Sequence, residues 1–130
     1  MYGAVPQMSK NDVDFSILIG KEVPTRSFKA GETIFREGDP ADELYVIQEG
    51  RVGVQNGNRM LDTLDSKTIF GEMALVDNAP RSAAAIAITD VKLVPVSERQ
   101  FLFLVSETPY LALNVMRLMA RRLRATNKAI

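Results

Sequence analysis

Between Thr25 and Val96 the chain is cut into short apolar pieces, Thr33 to Phe35, Leu44 to Ile47, Val52 to Val54, Met60 to Leu64 and Val91 to Val96, with turn residues between them. Each piece has the length and content of a β-strand. Ala30-Gly31-Glu32, Glu37-Gly38-Asp39-Pro40, Glu49-Gly50 and Asn56-Gly57-Asn58 supply residues that accept positive φ or fix φ through proline. Strands this close, with no helix between them, pair as antiparallel neighbours, so a jelly-roll or β-barrel is expected rather than a parallel sheet. Pro95 lacks an N–H to give to a ladder and suits an edge or a strand end.

The texture changes at Ser97, which can cap a helix running to about Phe103. Thr108-Pro109 then offers an N-cap and a first-turn proline for a second helix, from about Pro109 to Asn127. Ala112, Val115, Met116, Met119 and Leu123 fall on one face of it, as in an amphipathic helix that docks on the barrel or on a second subunit. Near the N-terminus, Val13, Ile17 and Leu18 could share one side of a short helix over Asn11 to Leu18. The 130 residues, 46% of them hydrophobic, suffice for one core but not for two ordinary domains. The expected organisation is an N-terminal helical or irregular segment over 1–24 and one domain over 25–130, its C-terminal helices beginning at about 97.

With 16 basic and 16 acidic residues, the chain shows no overall charge that would direct it to nucleic acid or an anionic membrane. Arg117, Arg121, Arg122, Arg124 and Lys128 all follow the last acidic residue, Glu107. They read as a solvated face complementing the negative end of the C-terminal helix. The absence of cysteine and histidine excludes disulfides, thiolate catalysis, a Ser/His/Asp triad and Cys- or His-ligated metals. The longest apolar run, Ala83 to Ile88, is far short of a membrane span, and the N-terminus lacks the regions of a signal peptide. A cytoplasmic protein without a resident metal or cofactor is expected.

Phe70-Gly71-Glu72-Met73-Ala74-Leu75, followed by Pro80-Arg81-Ser82-Ala83, is the most informative stretch. Gly71 lets the backbone approach a ligand, and Glu72 to Leu75 has the composition of one helical turn whose unpaired N–H groups suit an anion such as phosphate. Arg81 could return on the following strand and present a planar fork of donors to phosphate oxygens. Glu72 could accept a hydrogen bond from a sugar hydroxyl, so that ribose and phosphate are read together. Singly, each residue has an ordinary explanation as a turn, an ion pair or punctuation.

These motifs resemble those of the cyclic-nucleotide-binding domain shared by the catabolite activator protein, the regulatory subunits of protein kinase A and cyclic-nucleotide-gated channels. Phe28-Lys29-Ala30-Gly31-Glu32, Ile34 to Asp42, and Leu44-Tyr45-Val46-Ile47 with Glu49-Gly50 resemble the family's first strands and glycine turns. Phe70 to Leu75 with Pro80 to Ala83 resembles its phosphate-binding cassette. The resemblance implies an eight-stranded antiparallel β-roll with a short phosphate-binding helix and C-terminal helices that close over the base. It further implies that the Phe70 to Ala74 region, Met73 included, and the Ser82 and Ala83 backbone surround the cyclic phosphate. Arg81 would neutralise that phosphate and Glu72 would take the ribose 2′-hydroxyl. Val54 and Leu61 match positions near the purine, and both are also ordinary inward-facing strand residues. Ala84 stands where many relatives have threonine, and Ser82 where a threonine in some relatives favours cGMP, so the base preference stays open between cAMP, the first choice, and cGMP.

The expected function is that of a non-enzymatic cyclic-nucleotide receptor in which ligand in the β-roll moves the C-terminal helix, acting on an unknown downstream protein or a second copy. Many bacterial relatives continue into a helix-turn-helix; this chain ends at Ile130, so a module without direct DNA binding is expected, either a stand-alone receptor, the first choice, or a fragment of a longer protein such as a channel or kinase regulator. The alternatives are a protein-interaction module on the same fold that holds no nucleotide, and a cupin-like enzyme, which commonly needs histidines absent here. Arg81→Ala is expected to weaken nucleotide binding at least tenfold with little loss of stability.

Overall fold

The computed structural model describes residues 23–129, with side chains described as far as residue 125. The short helix expected over Asn11 to Leu18 lies outside the described residues, as does all of segment 1–24 but Val23 and Pro24. Eight strands are present: β1 (Arg26–Phe28), β2 (Thr33–Phe35), β3 (Glu43–Glu49), β4 (Val52–Asn56), β5 (Arg59–Leu64), β6 (Ile69–Phe70), β7 (Ala84–Ala87) and β8 (Val91–Ser97). A short helix, α1 (Glu72–Asp77), separates β6 from β7, and α2 (Glu98–Glu107) and α3 (Tyr110–Ala129) follow β8. The strands form two four-stranded sheets, ordered β1-β8-β3-β6 and β2-β7-β4-β5, with every pairing antiparallel.

The first sheet is covered on both faces, and the period-2 alternation of its strands shows how. Leu44 and Val46 of β3, Ile69 of β6, and Val94 and Val96 of β8 share a core with Leu111, Val115 and Leu118 of α3. The intervening residues, Tyr45 and Ile47, Phe70, and Val91 and Leu93, join Val52, Leu64, Ala85 and Ala87 of the second sheet. β3 thus reads as an unbroken apolar run because each face meets a different core. The molecule has three layers: helices, first sheet, second sheet.

Pro95 sits inside β8, which pairs with strands on both sides. β1 reaches only Val91 to Leu93, while Tyr45 of β3 lies opposite Pro95, so beyond Leu93 β8 has one neighbour and proline removes no ladder bond on the other side.

The helices depart from expectation in two ways. α2 is capped by Ser97 in a reciprocal box with Gln100 and continues four residues past Phe103, because Leu104 and Val105 follow Phe101 onto the core at helical spacing. α3 begins at Tyr110, with the Thr108 and Pro109 carbonyls accepting from Leu111 and Ala112. Its buried stripe is Leu111, Val115 and Leu118; of the five residues expected to share a face, only Val115 is buried, whereas Met116 and Leu123 are each 58% exposed.

Candidate functional site

β6 delivers the chain to Gly71, which caps α1 at φ 79°, a conformation that side chains with a Cβ resist. The position is also crowded: a Cβ there would lie 2.5 Å from Arg81 Nη1. Glycine is therefore required both by backbone angle and by the approach of a guanidinium.

Arg81 does not lie on the following strand. It sits in the link ahead of β7, pinned by its own backbone to the Gly38-Asp39 turn: Arg81 N–H donates to Asp39 O (2.9 Å) and Gly38 N–H to Arg81 O (2.8 Å). The anchored side chain runs inward and is 6% exposed. Nη1 donates to Gly71 O (3.1 Å) and Nη2 to Glu43 O (2.7 Å). The guanidinium carbon stands 4.1 Å from the Phe35 ring centroid, and Phe35, Tyr45 and Phe70 pack as a ring cluster with centroids 5.3–6.3 Å apart. Burial lowers the Arg81 pKa, opposed by the more distant Tyr45, Glu43, Asp42 and Asp39. Among the described residues Arg81 joins no ion pair, and its Nε–H is buried without an acceptor.

Glu72, the first residue of α1, is 3% exposed. Its Oε1 accepts from Arg122 Nη1 (2.7 Å), while Arg122 Nη2 donates to Ile69 O (2.6 Å). Arg122 thereby binds α3 to the segment entering α1 at a side chain and a backbone carbonyl.

The other expected site residues divide. The Phe70 and Ala74 side chains belong to the buried interior, and Val54 packs partly buried against the inter-sheet core. Leu61 does not face inward as expected; it is 49% exposed on β5. Met73 turns to an apolar groove of about 290 Å³ shared with Val76, Met119, Ala120 and Leu123. Ser82 is exposed and Ala83 half-buried. Two groups of participants escaped the sequence reading: the aromatic bed of Phe35 and Tyr45, and Arg122. The latter belongs to the basic tail read as solvated, yet its side chain is only 18% exposed. A signal existed, since position 122 continues the Leu111, Val115, Leu118 stripe by one turn.

The hydrogen bonds from Arg81 to Gly71 O and Glu43 O argue against the expectation that Arg81→Ala would leave stability nearly intact. A side chain that donates to two carbonyls in the interior takes one hydrogen bond from each when it is removed.

Residues 25–108 match the family model "Cyclic nucleotide-binding domain". A CRP-like cAMP-activated global transcriptional regulator of Mycobacterium tuberculosis is 31% identical over 112 residues, covering 82% of this chain and 50% of that protein. The cyclic AMP receptor protein of Thermus thermophilus is 36% identical over 104 residues, covering 76% and 48%. The crystal structure of the Thermus thermophilus catabolite activator protein superposes with a TM-score of 0.75 at 31% identity, covering 98% of this chain and 59% of that one. The chain thus spans about half the length of the two curated relatives described. No helix among the described residues is long and apolar enough to cross a membrane. With residues 25–108 matched, more than half of its length, the chain belongs to the cyclic nucleotide-binding domain family.

Proposed function

We propose that the chain is a cytoplasmic, non-enzymatic receptor module for a cyclic nucleotide, cAMP ahead of cGMP, that reports occupancy of its β-roll through α3. One observation carries the reading: Arg81 is a buried cation that joins no ion pair among the described residues and whose Nε–H has no acceptor there, beside Gly71 and the entry to α1. An unpaired interior charge is costly, and an anionic phosphate is the group that would relieve it. Glu72 stands next in the chain as acceptor for a ribose hydroxyl. The backbone of Ser82 and Ala83 follows Arg81 directly, and Val54 and Leu61 remain the residues assigned to the base. The preference for cAMP rests on the two bacterial relatives, whose names refer to cAMP.

The partner in this reading is a second copy. Leu113, Met116, Ala120 and Leu123 are exposed on α3 at alternating spacings of three and four, the pattern of a two-stranded coiled-coil seam. In a parallel pair Arg117 and Arg124 face Ala112 and Met119 across the seam; in an antiparallel pair they face each other, so parallel pairing is favoured. Sedimentation showing only monomer at every concentration would remove this part of the proposal.

Calorimetric titration with cAMP, cGMP and AMP tests the receptor reading. Saturable binding of a cyclic nucleotide is expected, with AMP weaker, accompanied by a rise in the unfolding temperature. Binding of none, with an unchanged unfolding temperature, would return the chain to a protein-interaction role.

A further inference from the structure

Arg81 stands where a ladder stops. β3 and β6 pair only at Val46 with Ile69 and Tyr45 with Phe70. Beyond that point the carbonyls of Gly71 and Glu43 both accept from the Arg81 guanidinium, Glu43 O from Nη2 at 2.7 Å. Glu43 is the first residue of β3, and its ladder partner is Ser97 of β8, so the strand end that carries this carbonyl is held by the ladder on one side only. Its side chain supplies a further hold. Glu43 Oε1 accepts from Arg26 Nη1 and from the Tyr45 hydroxyl (2.9 Å), and Arg26 Nη1 also donates to the Tyr45 hydroxyl oxygen (3.0 Å). Glu43 and Tyr45 share one face of β3, and Arg26 reaches them from β1 across the intervening strand β8.

We infer that Arg26 is a positioning residue for Arg81, acting through Glu43 and Tyr45, and that it sets how sharply the site tells apart the two exocyclic oxygens of a cyclic phosphate. This rests on the receptor reading above. The triad meets Arg81 at two places. One is the Glu43 carbonyl on Nη2; the other is the aromatic bed, where Tyr45 stacks on Phe70 (5.3 Å) and Phe35 (6.3 Å), and the Phe35 ring lies 4.1 Å from the guanidinium carbon. Tying the Glu43 carboxylate steadies the strand end, and tying the Tyr45 hydroxyl steadies the outer end of its ring. A guanidinium held this way spends one hydrogen of Nη1 and one of Nη2 on carbonyls, and its Nε–H, buried without an acceptor among the described residues, keeps a single direction. A ring-closed phosphodiester offers two exocyclic oxygens that point different ways, so a fixed donor favours one of them. Without Arg26, the Glu43 carboxylate loses the cation it pairs with and Tyr45 loses a donor. The guanidinium then turns more freely and serves the two oxygens more nearly alike, while its charge remains.

The chemistry also dictates which probes are informative. Replacing one exocyclic oxygen of cAMP by sulfur gives two phosphorothioate diastereomers of equal charge, and sulfur accepts a hydrogen bond less well than oxygen. Their affinity ratio therefore reads the direction of Arg81 rather than its charge. Arg26→Met keeps a long unbranched side chain and removes the charge and the donors. Arg26→Lys keeps the charge but replaces the planar fork by a point donor.

The experiment measures dissociation constants of cAMP and of the two diastereomers for the wild type, Arg26→Met and Arg26→Lys, with circular dichroism confirming that each is folded. The wild type is expected to separate the diastereomers by about tenfold or more, the worth of one charge-assisted hydrogen bond. In Arg26→Met the ratio is expected to fall to about threefold or less, and in Arg26→Lys to lie between. A residue that merely fastens β1 to its sheet would weaken both diastereomers alike, so a ratio in Arg26→Met at or above the wild-type value overturns the inference. If Arg26→Met does not fold, Arg26→Lys decides alone: a wild-type ratio there overturns the inference. A wild type that binds the two diastereomers equally also overturns it, because the site then has no preference for Arg26 to set. A wild type that binds neither cAMP nor either diastereomer overturns the receptor reading, and this inference with it. A wild type that binds cAMP while the variants retain its ratio overturns the inference only.

Discussion

Two arginines hold the Gly71-Glu72 turn, and they do so by opposite means. Arg81, from the link before β7, is tied to backbone alone, through the carbonyls of Gly71 and Glu43, and rests on the Phe35 ring. Arg122, from α3, donates to the carbonyl of Ile69 and to the carboxylate of Glu72 among its partners. The first keeps a positive charge that no neighbouring carboxylate in the described structure cancels; the second has its charge met by Glu72. An incoming anion therefore gains most beside Arg81, and a neutral hydroxyl gains most beside the Glu72 that Arg122 steadies. In the proposed function, phosphate therefore belongs beside Arg81 and sugar beside Glu72.

The largest effect that would break this contrast is expected from Arg81→Ala. Two carbonyls lose a donor at about 1–3 kcal/mol each, partly offset because a cation is no longer buried, so a net loss of roughly 2–4 kcal/mol is expected. Affinity for the cyclic nucleotide should fall at least tenfold in the same variant. Urea denaturation and titration read the two effects separately. A wild-type midpoint would show that the backbone clamp contributes nothing to stability, and a wild-type affinity would show that the charge is not for phosphate.

Much of this was legible in the sequence, and the omissions have physical reasons. β3, β4, β5 and β8 announce themselves through β-branched and large apolar residues, and the Ser97 cap through its spacing to Gln100. β7 is built of Ala84-Ala85-Ile86-Ala87, in which alanine has no strand preference; small residues are wanted because Ala85 and Ala87 face the crowded space between the sheets. β6 has two residues and β1 offers one apolar side chain in three, too little for any period to show. The cassette was visible because Gly71, Glu72 and Arg81 are near one another in the chain. What lies beside them in space was not: Glu43 contributes a carbonyl, which no side-chain pattern encodes, and Arg122 comes from a tail whose composition suggests solvent. The buried period of α3 was the available clue, and choosing Val115, Met116 and Met119 as one face in place of Leu111, Val115 and Leu118 hid it.

The smallest expected effect gives the sharpest test of whether the two clamps are independent. Phe35 touches the site only through its ring, which lies 4.1 Å beneath the Arg81 guanidinium and packs on Tyr45 and Phe70. Phe35→Leu keeps an apolar side chain and removes the π face, so a stability loss of about 1 kcal/mol is expected, combining the cation–π contact with imperfect repacking. Part of that loss exists only while Arg81 is present. Combined with Arg81→Ala, the loss should fall short of additivity by about 0.5–1 kcal/mol, whereas combined with Arg122→Gln it should add within about 0.5 kcal/mol. Denaturant midpoints of the six proteins supply both cycles. Strong coupling between Phe35 and Arg122 would mean that the aromatic bed, the turn and α3 form one network, and phosphate and sugar recognition could then no longer be assigned to separate arginines.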